Sequence, residues 1–219
     1  MDNCFRLLTL LGAIQGARSD TNCAALRLRR TAWSLCVINN QMKLSEFKSS
    51  YIEDIKQLFT KVFSDSEGQS EGELIGNLSN EIMTGTATQD LYGFVAIENK
   101  KIIGSIFFTR LTFKNGINAF LLSPVAIHTS HQGKGIGQKL ISFGIDHLKK
   151  NEVSIVFTYG DPSFYSKVGF NQITEKTAKA PFKLSQPEGW LAQSLVSDEI
   201  KPIAGKSSCV IAFNNPEIW

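Results

Sequence analysis

Residues 121–127 read LLSPVAI, residues 128–140 read HTSHQGKGIGQKL and residues 157–170 read FTYGDPSFYSKVGF. The first of these is an apolar segment of strand type, interrupted by a proline that cannot donate a hydrogen bond to a neighbouring strand. A proline inside a buried strand indicates a bulge or a separation of two strands. We therefore expect a strand over 119–127 in which main-chain groups of Val125, Ala126 and Ile127 are free to pair with a ligand. An edge strand with a simple kink is the alternative.

A glycine-rich loop follows this strand and precedes a helical pattern. Its residues are Gln132, Gly133, Lys134, Gly135, Ile136, Gly137 and Gln138. Glycines with positive φ turn successive N–H groups to one side, and at a helix N-terminus such groups attract an anion. We expect a phosphate or pyrophosphate there, and a tight turn without a ligand is the alternative. The spacing fits neither GxxxxGK[ST] nor GxGxxG, which argues against both common nucleotide loops.

Two motifs between residues 132 and 170 together resemble the GCN5-related N-acetyltransferase (GNAT) family. QGKGIG at 132–137 is similar to the acetyl-CoA loop [RQ]xxGx[GA] of that family, and FYSKVGF at 164–170 is similar to its FYxxxGF segment. GDPSFYSKVGF also resembles predicted acetyltransferases of bacteria that carry GDPxYYxxFGF. By element order the resemblance covers about residues 42–175. Many members hold the pantetheine with an asparagine shortly before the tyrosine, where this chain has Gly160-Asp161-Pro162 instead.

The resemblance implies a fold, a donor substrate and a reaction. The implied fold is the GNAT fold, an α+β arrangement with a central mixed sheet, helices on both faces and a splayed pair of strands. The implied donor is acetyl-CoA, bound by residues 125–127 and 132–138, and its acetyl group passes to a primary amine of a small molecule or protein by direct attack. A backbone N–H of Val125 or a near neighbour stabilises the oxyanion. Tyr165 is the expected general acid for the thiolate, since its phenol is protonated at neutral pH.

The sequence leaves the general base, the acceptor and the question of a homodimer open. By residue type the candidates for the base are His128, Glu67, Glu71, Asp90 and Asp161; water is a further carrier for the proton. A non-catalytic acyl-CoA-binding sensor or partner domain is the alternative to an enzyme. Retention of Tyr165 favours the enzyme, whereas the lack of an evident base favours the binding domain.

Composition separates residues 1–41 from the rest of the chain. That segment holds five Arg, no Lys and two Asp, which leaves equal numbers of acidic and basic side chains in residues 42–219. A neutral main part argues against nucleic-acid binding, and no window offers the ~18 consecutive apolar residues of a membrane span. We expect residues 42–219 to form the acetyltransferase domain and residues 1–41 to be an extension outside the fold. A secretory signal and an organellar presequence are the alternatives for that extension.

Cysteine and histidine usage points to a cytoplasmic domain without a metal. Cys209 is the single cysteine after residue 41, so no internal disulfide is available to residues 42–219. The histidines at 128, 131 and 147 are too scattered to form a ligand set with it.

Hydrophobic periodicity predicts the element order β-α-α-β-β-β-α-β-α-β-β. The expected strands are 43–48, 91–98, 101–112, 119–127, 154–159, 169–174 and 209–213, and the expected helices are two after residue 50, one over 136–150 and a short one over 162–168. Capping boxes begin at Ser50 and Ser70, with a polar linker over 64–70 between the first two helices. The short polar turn Glu98-Asn99-Lys100-Lys101 predicts a hairpin between the strands 91–98 and 101–112. Asn115-Gly116 predicts a second hairpin turn.

A chain that begins at Met42 should retain both fold and activity, because the change from Arg without Lys to Lys almost without Arg falls at that residue. We expect its melting temperature to lie within a few degrees of that of the full chain, and its turnover to be equal. Thermal denaturation and release of free thiol from acetyl-CoA measure the two quantities. Loss of folded protein on truncation would contradict this division of the chain.

Overall fold

The structure is a computed structural model that describes residues 42–219. The α-helices are α1 (Ile52–Glu67), α2 (Gln69–Gly85), α3 (Ile136–Lys150) and α4 (Pro162–Tyr165). The strands are β1 (Lys43–Glu46), β2 (Leu91–Glu98), β3 (Lys101–Thr112), β4 (Ala119–Ile127), β5 (Ile155–Tyr159), β6 (Asn171–Gln172), β7 (Ala178–Lys179), β8 (Trp190–Ser194), β9 (Ile203–Lys206) and β10 (Ser208–Cys209). The expectations about residues 1–41 lie outside the described residues. Among the described helices, none is long and apolar enough to cross a bilayer.

One mixed sheet organises the fold, with the strand order β1-β2-β3-β4-β5-β8-β6 and β10 beside β3. Its neighbours pair antiparallel except β4 and β5, which pair in parallel. A parallel pair needs a crossover connection, and α3 supplies it. The predicted α+β class with a mixed sheet is therefore confirmed.

Two tight turns set the register of the antiparallel half of the sheet. Asn99 and Lys100 have φ of 51° and 64°, as a two-residue turn between twisted strands requires. At the next turn Gly116 has φ of 73°, and the Asn115 side chain accepts a hydrogen bond from the Ile117 N–H at 3.3 Å. Both predicted hairpins are confirmed.

Helices cover both faces of the sheet, as expected. On one face α1 and α2 pack over β3 and β4, where the ring of Phe59 stacks on Phe107 with 6.0 Å between centroids. On the other face α3 buries Leu140 and Leu148 against the strands. Burial of these side chains is the main favourable contribution to folding, at about 1.5–3 kcal/mol for each large one.

The connection between α1 and α2 differs from the prediction. Only Gly68, with φ of 100°, separates the two helices, so the polar residues expected to form a linker over 64–70 are helical. No side-chain hydrogen bond caps either helix N-terminus, which makes both predicted capping boxes wrong. The physical reason is close packing: a Cβ on Gly72 would overlap Ser64 and the main chain of Thr60, and this contact holds α2 directly against α1.

The C-terminal third also departs from the prediction. The expected strand over 209–213 is limited to β10, and Ile211–Phe213 instead forms a 3-10 turn that buries Phe213 in the core. The expected helix over 162–168 is α4 followed by a 3-10 turn, and the expected strand over 169–174 shortens to β6. The sequence analysis missed β7, β8 and β9, since β8 pairs with β5 and β6 from a distant part of the chain.

Candidate active site

The site begins where β4 leaves β5. The register between these strands ends at Leu122 opposite Thr158, whereas β4 stays paired with β3 as far as Ile127 opposite Gly104. Ser123 and Pro124 together lie opposite a single β3 residue, which is a β-bulge. The predicted bulge and strand separation are therefore both confirmed. Beyond the bulge, the β5-facing main-chain edge of β4 has no register partner on β5.

The glycine-rich loop is tied to the end of this free edge. The Gln132 side chain donates from Nε2 to the carbonyl of Ile127 at 3.0 Å. Gly133 and Gly135 have φ of 74° and 72°, which side chains with a Cβ rarely adopt, and Gly135 is the N-cap of α3. A Cβ on Gly135 would meet no atom within 4 Å, so the loop is open on that side.

The first turn of α3 supplies the donors that an anion needs. The N–H of Lys139 donates to the Gly135 carbonyl at 3.1 Å. The N–H groups of Ile136, Gly137 and Gln138 precede that bond and have no intrahelical acceptor. They lie at the positive end of the helix dipole. Lys134 contacts the loop itself, with Nζ donating to the Ser130 carbonyl at 3.0 Å.

Tyr165 lies at the point where the two strands separate. Its hydroxyl is hydrogen-bonded to Thr158, whose Oγ1 donates to the Leu122 carbonyl at 3.0 Å. Leu122 and Thr158 form the last β4–β5 pair before the strands separate. The phenol of Tyr165 is therefore held where the opening between the strands begins. The ring of Phe170 packs edge-on against Tyr165, and burial raises the pKa of the phenol to about 12. The hydroxyl is therefore protonated at neutral pH.

Asp90, Asp161 and His128, which are three of the candidate bases, each have a structural partner. Asp90 forms an ion pair with Arg110, 3.0 Å between Oδ1 and Nε, near the start of β4. Asp161 caps α4 by accepting hydrogen bonds from the N–H and hydroxyl of Ser163 at 2.8 and 2.6 Å. His128 bonds through Nδ1 to a neighbouring serine hydroxyl at 3.0 Å. The structure does not bring Asp90 to the opening between β4 and β5.

Glu71 differs from those three. It precedes Ile75, Leu78 and Ile82 on the face of α2 that is buried toward the sheet. Its Oε1 is buried without a hydrogen-bond partner among the described residues, and desolvation raises the pKa of its carboxyl. A carboxylate held in this way is a stronger base than an exposed one. Glu67, the remaining candidate, ends α1 one turn away along the same junction.

The junction of α1 and α2 lies at the same end of the sheet as the free edge of β4. Thr129, two residues after β4, donates from Oγ1 to Oδ2 of Asp65 in the last turn of α1 at 2.8 Å. α2 starts four residues later, at Gln69. The first turn of α2, with Glu71 on its sheet-facing side, is therefore held near the carboxyl end of β4.

A small cavity lies at the bulge, on the face covered by α1 and α2. It is lined by Leu121, Ser123, Tyr159, Phe213, Ile218 and Trp219. Ser123 is 2% exposed, and its hydroxyl has no partner among the described residues. The sequence analysis missed both Ser123 and Thr158. A period of two along β4 and β5 indicates which side chains point inward, but only the tertiary structure places these hydroxyls at the opening.

Comparisons with known proteins agree with this geometry. Residues 89–172 match the family described as "Acetyltransferase (GNAT) domain". The chain is 29% identical over 150 residues to the uncharacterized N-acetyltransferase YjhQ of Escherichia coli K12, which covers 66% of this chain and 79% of that protein.

Solved structures are similar to the fold. The GNAT N-acetyltransferase YhbS of Escherichia coli, in complex with CoA, aligns with a TM-score of 0.66 at 21% identity, over 85% of this chain and 97% of that one. A GNAT acetyltransferase of Brucella melitensis, in complex with acetyl-CoA, aligns with a TM-score of 0.59 at 22% identity, over 80% of this chain and 99% of that one.

The mixed sheet with its open strand pair has the GNAT fold. The family match confirms the resemblance carried by the sequence motifs, over residues 89–172. The roles of Tyr165 and of residues 125–127 and 132–138 stay predictions.

Replacing Glu71 by Gln should stabilise the protein at neutral pH. Because burial raises the carboxyl pKa in the folded state, the folded state holds that proton to a higher pH than the unfolded state does. The wild type therefore loses stability as the pH rises through the raised pKa, and Gln removes this loss. We expect a higher melting temperature for Glu71→Gln at pH ~7, and a difference that vanishes below the ordinary carboxyl pKa of ~4.3.

The matched control for this experiment is Glu73→Gln, which changes an exposed carboxylate on the same turn of α2. Thermal denaturation of both variants at the two pH values checks the expectation. A Glu71→Gln variant that is less stable than the wild type at pH ~7 would show that the carboxylate has a favourable partner.

Proposed function

We propose that this protein is an acetyl-CoA-dependent N-acetyltransferase, which transfers the acetyl group to a primary amine of a small molecule or protein by direct attack. One observation carries the proposal: a free β4 edge lies between an N–H-rich helix start and a buried, protonated tyrosine. The strand edge suits the pantetheine arm, the helix start suits the pyrophosphate, and the tyrosine suits proton transfer to the thiolate. GNAT structures that contain CoA or acetyl-CoA and share this fold support it.

The described residues fit the donor substrate. The main-chain groups of Val125, Ala126 and Ile127 present an unpaired strand edge, which the two amides of the pantetheine arm can extend. The loop at 132–138 presents N–H groups for the pyrophosphate, and the open space beside Gly135 admits it. The strand edge is followed by the anion site, in the same order as the pantetheine arm and the pyrophosphate follow one another in coenzyme A.

The reaction needs an oxyanion donor and an acid. As the amine nitrogen attacks, the carbonyl oxygen gains negative charge, which the N–H of Val125 or a near neighbour stabilises after the bulge. The new C–N bond forms, the C–S bond breaks, and the thiolate takes a proton from Tyr165. Thr158 keeps the phenol in place through its hydrogen bond. Burial keeps that phenol in its acid form.

Gly135→Ala should weaken acetyl-CoA binding at least tenfold. An Ala at φ of 72° is strained by ~1–2 kcal/mol, so the loop shifts and its N–H groups lose their common direction. Gly116→Ala is the matched control, since Gly116 has φ of 73° and equally open surroundings in a distant turn. Calorimetric titration with acetyl-CoA should show a loss in the first variant only. Equal affinities would show that this loop is not the donor site.

Tyr165→Phe should lower kcat by ~10²–10⁴-fold and leave the affinity for acetyl-CoA unchanged. The change removes the proton donor but keeps the ring that packs on Phe170. Loss of the hydrogen bond to Thr158 costs about 1 kcal/mol of stability. Free-thiol release with a panel of primary amines measures kcat, under conditions in which chemistry limits the rate.

Tyr92→Phe controls for hydroxyl removal in general, because Tyr92 lies on β2, two strands away from β4. This variant should keep the wild-type kcat. A Tyr165→Phe variant with the same property would reduce Tyr165 to a packing residue. A wild type that binds acetyl-CoA but acetylates no amine would instead favour the non-catalytic acyl-CoA-binding domain.

A further inference from the structure

The small cavity at the bulge lies between β4 and β5 at the level where their pairing ends. Leu121 and Ser123 form its wall on β4, and Tyr159, the first residue of β5 beyond the paired register, forms its wall on β5. The remaining wall consists of three side chains from the C-terminal turns: Phe213, Ile218 and Trp219. The cavity is therefore beside the opening between the strands.

The proposed course of the donor directs its acyl group toward this cavity. With the pyrophosphate at 132–138 and the pantetheine arm along 125–127, the sulfur comes next, beside the bulge. The paired parts of β4 and β5 block the way ahead. Tyr165 and its neighbouring rings fill one face of the sheet, whereas the cavity lies on the other face, with Leu121 and Tyr159 in the core below α1 and α2. An acyl group on the sulfur consequently turns to that second face.

The unpaired hydroxyl of Ser123 is an independent sign of a ligand in the cavity. The residue is 2% exposed, and its Oγ has no hydrogen-bond partner among the described residues. Buried polar groups are almost always hydrogen-bonded, so one without a partner needs an explanation. The nearby Tyr159 hydroxyl is already engaged, since it accepts a hydrogen bond from the Gln186 N–H at 2.7 Å. An acyl carbonyl oxygen in the cavity would accept a hydrogen bond from Ser123.

The cavity has room for one small group. Its volume is about 10 Å³, which is close to that of one water-sized sphere. A methyl group is of comparable size. Each further carbon of a longer acyl chain would require the surrounding side chains to move, which is costly in a well-packed core.

Aromatic packing holds the C-terminal wall of the cavity in place. The indole of Trp219 stacks on Tyr159 with 6.4 Å between centroids, and its N–H donates to the Phe213 carbonyl at 3.0 Å. Phe213 and Trp219 are both buried. Neither lies within residues 89–172, which match the family. This wall is therefore a feature of the chain outside the matched segment.

We propose that this cavity receives the acyl group of the donor, that Ser123 donates a hydrogen bond to the acyl carbonyl oxygen, and that the C-terminal wall limits the acyl chain to two carbons. The inference rests on the proposed function and adds what determines the length of the acyl chain. A carbonyl oxygen has two lone pairs, so the Ser123 hydroxyl acts beside the N–H of Val125 or a near neighbour and does not replace it.

Four ligands that differ only at the sulfur test the proposal without an acceptor amine: CoA, acetyl-CoA, propionyl-CoA and butyryl-CoA. Calorimetric titration of the full chain should show acetyl-CoA binding about fivefold more tightly than CoA, because one additional hydrogen bond forms. Butyryl-CoA should bind about tenfold more weakly than acetyl-CoA, with propionyl-CoA between them, because each added carbon overpacks the cavity.

Enlarging the cavity should remove this discrimination. Phe213→Leu together with Ile218→Ala should bring the affinity for butyryl-CoA to within about twofold of that for acetyl-CoA. Ile218→Ala alone, at a partly buried position, should give a smaller gain in the same direction. Phe113→Leu shortens another buried ring of the same core outside the cavity lining, and Ile211→Ala removes an exposed side chain from the C-terminal turns. Both controls should keep the wild-type discrimination.

Removing the hydroxyl tests the role of Ser123 separately. Ser123→Ala should lower the affinity for acetyl-CoA about fivefold, to that for CoA, and leave the affinity for CoA unchanged. The matched control is Ser105→Ala, which removes another buried unpaired hydroxyl from the sheet outside the cavity lining. This control should retain the preference for acetyl-CoA. The melting temperature of every variant is measured alongside, so that only folded proteins are compared.

Each contrary outcome overturns a defined part of the proposal. Equal wild-type affinities for acetyl-CoA and butyryl-CoA overturn the limit on chain length, and unchanged discrimination in the folded double variant overturns its assignment to the C-terminal wall. If the double variant does not fold, Ile218→Ala decides that assignment in the same way. A Ser123→Ala protein that still prefers acetyl-CoA to CoA overturns the hydrogen bond from Ser123. If the wild type binds none of the four ligands, the proposed function itself fails, which is a different result.

Discussion

The early end of pairing between β4 and β5 is the constraint on which the rest of this structure depends. The two strands share a register only from Ala119 to Leu122, and the bulge at Ser123 and Pro124 then turns β4 toward β3 alone. Exposed strand edges are costly and prone to unwanted pairing unless something covers them. Here the free edge is short and flanked by the glycine loop, so a small ligand can occupy it but another long strand cannot.

The packing around Tyr165 depends on this early end of the β4–β5 pairing. Its hydroxyl is hydrogen-bonded to Thr158, which in turn donates to the Leu122 carbonyl, so the proposed general acid is held by both strands where the opening begins. The surrounding aromatic rings exclude water and keep the phenol protonated. A flexible exposed tyrosine would have neither property. Position and protonation thus arise from the same packing.

The α1–α2 pair defines the opposite side of the site. Gly72 and Gly76 let α2 approach α1 closely, and the bond from Thr129 to Asp65 fixes their junction at the end of β4. Glu71 is consequently held on a buried helix face where its charge is poorly solvated. This arrangement costs stability at neutral pH.

The sequence by itself determined the main strands, α3, both hairpins, the bulge and the loop of residues 132–138, because periodicity, turn residues and a proline in a strand are local signals. It also determined the family, since QGKGIG and FYSKVGF are contiguous motifs. Only the tertiary structure decided the α1–α2 junction and the position of β8. These depend on contacts between residues far apart in the chain, such as Gly72 with Thr60 or β8 with β5, and no local pattern specifies such contacts.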